Sequence, residues 1–99
     1  MAKLKPVHPG EILREEFMKP FDLNANKLSL ALHVPAPGIY EIVKEERGIS
    51  SEMALRLARF FKTTPEFWIN LQAGFDLRVV RNQKEAMVKN QVHPLEMEA

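Results

Sequence analysis

The hydrophobic positions of this chain recur mainly at the three- and four-residue spacing of an α-helix, and no stretch alternates convincingly at the two-residue spacing of a strand. The clearest pattern consists of two consecutive i, i+3, i+4 stripes, Leu28, Ala31 and Leu32 in the first and Ile39, Ile42 and Val43 in the second. Residues 33–38 between them read HVPAPG, and two prolines with a glycine are typical of a turn. The spacing therefore predicts two short helices joined by a tight turn.

Two helices joined this closely match a helix-turn-helix, whose second helix can lie in the major groove of DNA. On that second helix, Tyr40, Glu41 and Lys44 are predicted to face outward. The alternative is an ordinary bend between two core helices, and the spacing alone does not decide between the two. Nucleic-acid binding is thus the first hypothesis for this chain.

Start and stop signals predict a helix before this motif and set the bounds of the two helices within it. Pro9 suits the first position of an opening helix because it has no N–H to leave unpaired, and Lys19 with Pro20 is expected to end that helix. Asn24 is a good N-cap for the second helix. The third helix is predicted over residues 36–45.

Two further helices are predicted in the second half of the chain. Ser50 is expected to cap the fourth helix, whose inward stripe comprises Ala54, Leu57, Ala58 and Phe61. Residues 64–66, TPE, supply a cap, a proline at the first helical position and an early acid, which predict the start of a C-terminal helix over residues 66–90. Residues 91–99 are predicted to form a loose tail.

Composition and the lack of certain motifs argue against a membrane protein, a metalloprotein and an enzyme. A chain of 99 residues with 45% hydrophobic and 27% charged residues is expected to form one domain over residues 1–99. No apolar run reaches the ~20 residues that span a bilayer, and the N-terminus lacks a secretory signal, so we expect a cytoplasmic protein without membrane contact. The chain has no cysteine and its three histidines are scattered, so neither a metal site nor a cofactor is predicted. No motif marks a nucleophile, and no enzyme is predicted.

The charge distribution argues against strong DNA binding. The net charge is only +1, whereas strong DNA binders usually carry a basic face. Residues 36–47 hold two cations against three carboxylates: Lys44 and Arg47 against Glu41, Glu45 and Glu46. Residues 78–89 are more basic, with four cations and one carboxylate: Arg78, Arg81, Lys84 and Lys89 against Glu85. The sequence leaves open whether this later segment faces DNA, a protein or water.

The C-terminal helix carries more large apolar side chains than a small core requires: Phe67, Trp68, Leu71 and Phe75. Core packing explains part of this group. A large apolar stripe on a terminal helix is also usually covered by a partner, so we predict that these four residues form a dimerisation surface. The sequence does not reveal which side of the helix each side chain occupies.

Three stretches carry a resemblance to a known family: HPGEILREEF at residues 8–17, VPAPGIYEIVKEERGIS at 34–50 and ALRLARFFKTTPEFWINLQAGFDL at 54–77. With them the chain resembles the HigA family of antitoxins, also named virulence-associated protein I, within the lambda-repressor-like helix-turn-helix group. The resemblance implies an all-α domain of about five helices with a C-terminal helical extension. Its helix-turn-helix core would span residues 11–65, with the motif itself at about 26–45.

The resemblance also implies a function. Such a protein is the antitoxin of a type II toxin–antitoxin system, which binds and neutralises a ribosome-dependent mRNA-cleaving toxin encoded next to it. As a homodimer it also binds double-stranded DNA, the operator of its own operon, and represses transcription. Two alternatives remain open: a stand-alone transcription regulator without a toxin, and a protein-interaction module with weakened DNA binding.

The family's groove-facing positions fall on nine residues of this chain: Asn26, Lys27, Ala36, Pro37, Gly38, Tyr40, Glu41, Lys44 and Arg47. Asn26 and Lys27 are expected to position the second helix on the DNA backbone, and Tyr40, Lys44 and Arg47 to make groove and phosphate contacts.

The chain departs from the family pattern at Pro37 and Gly38, where a polar or basic pair is common, and neither residue can read a base edge. His33 takes the place of the usual glycine between the two helices. We therefore expect weaker or less selective DNA binding than in a typical member.

Overall fold

Residues 4–96, the part of the chain that the computed structural model describes, contain no regular element other than helices. Five α-helices follow one another: α1 (Pro9–Ile12), α2 (Ala25–Leu32), α3 (Ala36–Val43), α4 (Ser51–Phe61) and α5 (Pro65–Gln91). The predicted all-α class is confirmed, and each of the five predicted helices is present with modest shifts in its bounds.

The opening helix differs most from its prediction. Only its first turn is α-helical, and it continues as a π-helix over Leu13–Met18 and a 3-10 turn over Lys19–Phe21. Pro20 explains this irregular end, because it has no N–H to donate and its ring would clash with the carbonyl four residues back in a regular α-helix. The N–H of Lys19 donates to the carbonyl of Arg14, five residues back, which is the π-helical spacing. The predicted stop at Lys19 and Pro20 thus falls inside the 3-10 turn that ends this helical segment.

Side-chain caps start the helices where the sequence predicts them. Asn24, Ser50 and Thr64 each accept a hydrogen bond from the backbone N–H three residues later, at 2.7, 3.1 and 3.2 Å. A cap of this kind stabilises a helix by about 1 kcal/mol. At the other end of α2, His33 has a φ of 57°, the left-handed conformation that often ends a helix and that favours glycine.

The hydrophobic core lies where the helices meet, and its largest buried side chains include Leu13, Leu28, Ile39, Ile42, Leu57 and Trp68. α1 packs closely against the end of α3. One residue of the predicted stripes does not belong to this core: Ala31 is exposed and lines an open groove beside Leu55 and Phe60. It lies at the edge of the stripe on α2, where a small side chain does not reach the helices packed below.

The aromatic residues at the start of α5 serve mainly the core of their own chain. Trp68 is fully buried, and its ring lies 4.9 Å from that of Phe17, centroid to centroid. Leu71 packs against the core and Phe75 is half-buried, whereas Phe67 keeps 37% of its surface exposed. Trp68 is therefore not available for the predicted dimerisation surface, because the tight packing of α5 on α4 and the opening helix covers it.

The second half of α5 extends beyond this packed body, and the molecule measures 57 × 30 × 21 Å. Its apolar side chains there are largely exposed: Leu77 52%, Val80 49%, Met87 44% and Val88 46%. Helical structure ends at Gln91, and the last three residues of the predicted tail lie outside the described part of the chain. No helix within residues 4–96 is both long enough and apolar enough to cross a membrane.

Candidate nucleic-acid interface

The turn between α2 and α3 gives the two helices the predicted helix-turn-helix connection. After the left-handed His33, the N–H of Val34 donates to the carbonyl of Ser29 at 3.0 Å. Pro35 is extended and precedes the first residue of α3, and Pro37 lies in the first turn, where its missing N–H leaves no donor unpaired. The proline-rich segment that interrupts the hydrophobic pattern therefore starts the second helix of the motif.

The predicted groove-facing residues mostly share one accessible side of the motif. Ile39 and Ile42 turn into the core, which leaves the opposite side of α3 free. Eight of the nine candidates lie outside the loop, and six of these are exposed at the start of α2 and along and just after α3: Asn26, Lys27, Pro37, Tyr40, Glu41 and Lys44. Ala36 and Gly38 are half-buried.

Arg47, in the loop after α3, lies back across that helix. Its Nε is 3.5 Å from Oε2 of Glu41, and the Arg47 side chain remains 59% exposed. A Cβ atom at position 38 would lie 3.1 Å from Nη1 of Arg47, so the guanidinium occupies the space beside Gly38 that a side chain would need. A cation from the loop thus covers the part of α3 that carries no side chain.

Two residues distant in the sequence, Arg14 and Gln72, hold this loop in place. At its start, Nη1 of Arg14 donates to the carbonyl of Val43, and Nη2 of Arg14 lies 3.6 Å from Oε2 of Glu45. At its end, Oε1 of Gln72 on α5 accepts the N–H of Ile49 at 2.8 Å. The position of Arg47 therefore depends on both the opening helix and α5.

The chain is similar along most of its length to proteins of one group. Virulence-associated protein I of Dichelobacter nodosus is 43% identical over 97 residues, which cover 98% of this chain and 88% of the relative. YbaQ, an uncharacterised helix-turn-helix transcriptional regulator of Escherichia coli, is 44% identical over 81 residues, 82% of this chain and 72% of the relative. No protein-family model matches the chain.

A solved structure of Pseudomonas aeruginosa antitoxin HigA with the higBA promoter matches the fold with a TM-score of 0.90 at 43% identity, covering 93% of this chain and 100% of the other. This chain belongs to the HigA family of antitoxins. The resemblance read from the sequence is therefore confirmed. The family consists of antitoxins and helix-turn-helix regulators rather than enzymes, which agrees with the lack of a catalytic motif in the sequence.

In this HigA-family chain, ion pairs partly offset the excess of carboxylates over cations in residues 36–47. Glu41 pairs with Arg47 and Glu45 pairs with Arg14, so two of the three carboxylates of residues 36–47 have a cationic partner. The side-chain hydrogen bond to Glu15 raises the pKa of Arg14, and the pKa of Glu15 is lowered mainly by its hydrogen bond from Lys19. Within residues 4–96, no three side chains of the metal-binding types come together.

Arg14 and Gln72 are the residues of this HigA-family site that sequence reasoning missed. They lie 29 and 23 positions from the loop residues they contact, so no local spacing or cap signal points to them. The basic segment of residues 78–89 is not part of this site. It lies on the exposed half of α5, where Arg81 and Lys89 both pair with Glu85, at 3.4 and 3.9 Å.

Proposed function

We propose that this chain is the antitoxin of a type II toxin–antitoxin system, which binds the operator of its own operon as a homodimer and represses transcription. The observation that carries the proposal is the close match to antitoxin HigA in a structure that includes its promoter, together with the free outer side of α3. A helix exposed in this way can enter the major groove, where base edges are read.

Within the proposed interface, Tyr40 and Lys44 project from α3 and Arg47 lies across it, so these three are the candidates for groove and phosphate contacts. Asn26 and Lys27 lie at the exposed N-terminal end of α2, where free backbone N–H groups and a cation suit a phosphate. Pro37 adds no hydrogen-bonding group, which supports the expectation of modest selectivity.

The homodimer is proposed because one helix-turn-helix makes few contacts, whereas two related by a two-fold axis read two half-sites about one helical turn apart. The surface we assign to it lies further along α5 than the sequence predicts. Leu77, Val80 and Met87 are exposed and follow the three- and four-residue steps of a heptad, with Lys84 between them. A second copy of α5 is the partner that such a stripe fits.

DNA binding is tested by titrating the purified chain into DNA from upstream of its own gene at several salt concentrations. The double variant Lys44→Ala, Arg47→Ala should bind more weakly and with a flatter salt dependence, because the interface then brings two fewer cations to the DNA and releases fewer counterions. The variant Arg59→Ala, Lys89→Ala removes the same charge from exposed positions outside the motif and should leave the slope nearly unchanged. A slope unaltered by the first variant would overturn the groove assignment.

The toxin partner, a ribosome-dependent mRNA-cleaving enzyme, is proposed from family membership. Its test is to express the small open reading frame beside this gene alone and then together with this chain. Growth arrest that this chain relieves supports the antitoxin function. A harmless neighbour, or arrest that persists, favours the stand-alone transcription regulator, which the similarity to YbaQ makes the second candidate.

A further inference from the structure

We infer that Glu41 is a specificity-determining residue of the DNA interface, which orients Arg47 toward a guanine edge and disfavours contact with backbone phosphates. The inference rests on the proposed DNA-binding function and deepens it. Glu41 is itself anionic and cannot bind a phosphate, yet it occupies the exposed side of α3 at the centre of the candidate residues. A carboxylate can contact a base directly only by accepting a hydrogen bond, as from N4 of cytosine, and here Oε2 of Glu41 faces a cation of its own chain instead.

That cation is Arg47. The distance that joins Oε2 of Glu41 to Nε of Arg47 is 3.5 Å, so the carboxylate lies beside the Nε side of the guanidinium. The two Nη groups are the pair that an arginine presents end-on to O6 and N7 of guanine. A carboxylate beside Nε can hold the guanidinium from one side and leave the two Nη groups to a base edge.

Gly38 provides the space that this arrangement needs. Nη1 of Arg47 would lie 3.1 Å from a Cβ atom at position 38, closer than ordinary van der Waals contact, so even a methyl group there would shift the guanidinium by about a few tenths of an ångström. Gly38, a position that cannot read a base, thus allows Arg47 to read one.

The same pair works against unselective binding. A phosphate that approached Arg47 would compete with Glu41 for the guanidinium and would meet the like charge of the carboxylate. At a correct operator base, the pair persists and the arginine needs no reordering. Because both side chains are about half exposed, the contribution of the pair is modest, no more than about fivefold in a binding constant.

The experiment compares affinity for promoter DNA from upstream of this gene with affinity for a shuffled duplex of the same length. Glu41→Gln keeps the shape and removes the charge. It should raise affinity for the shuffled duplex and lower the specificity ratio by about two- to fivefold. Glu46→Gln is the matched control, since it removes one charge from the exposed loop beside Arg47. It should change both affinities in parallel.

Two more variants separate orientation from charge. In an Arg47→Ala background, Glu41→Gln should have no more effect on the ratio than Glu46→Gln. Gly38→Ala should lower the ratio without any change in charge. If Glu41→Gln and Glu46→Gln have equal specificity ratios in the chain that retains Arg47, the inference is overturned, although the proposed DNA binding still holds. Failure of the unmodified chain to prefer its promoter would overturn the proposed function and the inference together.

Discussion

Gly10 and Gly74 show how differently two glycines of one chain can be constrained. A Cβ atom on Gly10 would fall 1.8 Å from the carbonyl oxygen of Ile42, because α1 crosses the end of α3 backbone to backbone. A Cβ atom on Gly74 would have no neighbour within 4 Å beyond its own helix. The first glycine is required by packing, whereas the second only weakens α5.

Alanine at these two positions should therefore shift stability in opposite directions. Gly10→Ala should reduce the free energy of unfolding by about 3 kcal/mol or more, since α1 and α3 must separate to admit the methyl group. Gly74→Ala should increase it by about 0.5–1 kcal/mol, the difference in helix propensity between the two residues. Urea unfolding followed by circular dichroism measures both. A neutral Gly10→Ala variant would contradict the close packing of α1 on α3.

His8 makes the fold sensitive to mild acid. Its Nδ1 accepts the N–H of Gly10 at 2.8 Å, and its ring lies edge-on to Phe75 at 4.8 Å between centroids. Burial lowers the pKa of His8 below its usual value, against an opposite effect of the carboxylates of Glu45 and Asp76. Folding thus favours the neutral imidazole, which alone can accept the capping hydrogen bond.

The expected consequence is a loss of stability on acidification. Because its folded pKa is depressed, His8 contributes its full stability above its ordinary pKa of 6.5 and loses it as the pH falls through the lowered value. His8→Asn keeps a capping acceptor that does not titrate. Between about pH 7.5 and about pH 5, the unmodified chain should lose more stability than this variant, by at most about 1.4 kcal/mol per pH unit. Parallel pH profiles in urea unfolding would show that His8 does not titrate with folding.

At the scale of elements, α5 consists of two halves that differ in how they are packed. Its first turns bury Trp68 and anchor the loop after α3 through Gln72, whereas its second half exposes an apolar stripe beyond the body. A helix of 27 residues is about 40 Å long. One half can therefore pack against its own chain while the other half is available to a second copy. Contacts with the rest of the chain reach as far as Asn82, whose Nδ2 donates to the carbonyl of Leu4 at 2.7 Å.

The proposed dimer depends on that exposed half. Leu77→Glu should raise the dimer dissociation constant at least about tenfold, because an unpaired carboxylate would be buried between the two copies of α5. Ala86→Glu adds the same charge at an exposed position on the opposite side of the helix from Leu77 and should leave the dimer intact. Mass measurement by light scattering over a dilution series distinguishes them. A dimer that survives Leu77→Glu would place the interface elsewhere.

At the scale of the whole molecule, the loop after α3 is fixed by parts of the chain that are far from it in sequence. Gln72 accepts the N–H of Ile49 and, through Nε2, donates to Oδ1 of Asp76 at 3.0 Å. Gly48 lets this side chain approach, since a Cβ atom there would be 2.9 Å from Oε1 of Gln72. The C-terminal helix α5 therefore positions the loop after α3, to which it is not adjacent in the sequence.

Removing this tether should weaken promoter binding without removing a charge. Gln72→Leu leaves the N–H of Ile49 unpaired, a local cost of about 1–3 kcal/mol, so promoter affinity should fall severalfold while the salt slope stays constant. The double variant Gln72→Glu, Asp76→Asn exchanges acceptor and donor between the two side chains at constant net charge. It should restore affinity, as measured by fluorescence anisotropy. Affinity that stays low in the double variant would mean that Gln72 acts in another way.

What the sequence determined by itself is local. Helical spacing, the caps Asn24, Ser50 and Thr64, and the prolines predicted the helices, because hydrogen bonds and backbone constraints within a few residues set where a helix begins and ends. The inward sides of α3 and α4 followed from the same spacing. The class of function came from the resemblance of three stretches to a known family and not from this spacing.

What only the tertiary structure decided are contacts between residues that are distant along the chain. It placed Trp68 in the core, because the partners that cover this side chain come from other helices. It also brought Arg14 and Gln72 to the loop after α3 and laid Arg47 over Gly38. A periodic pattern shows which residues share a side of one helix, but not which neighbour covers that side, since that depends on how all the helices pack together.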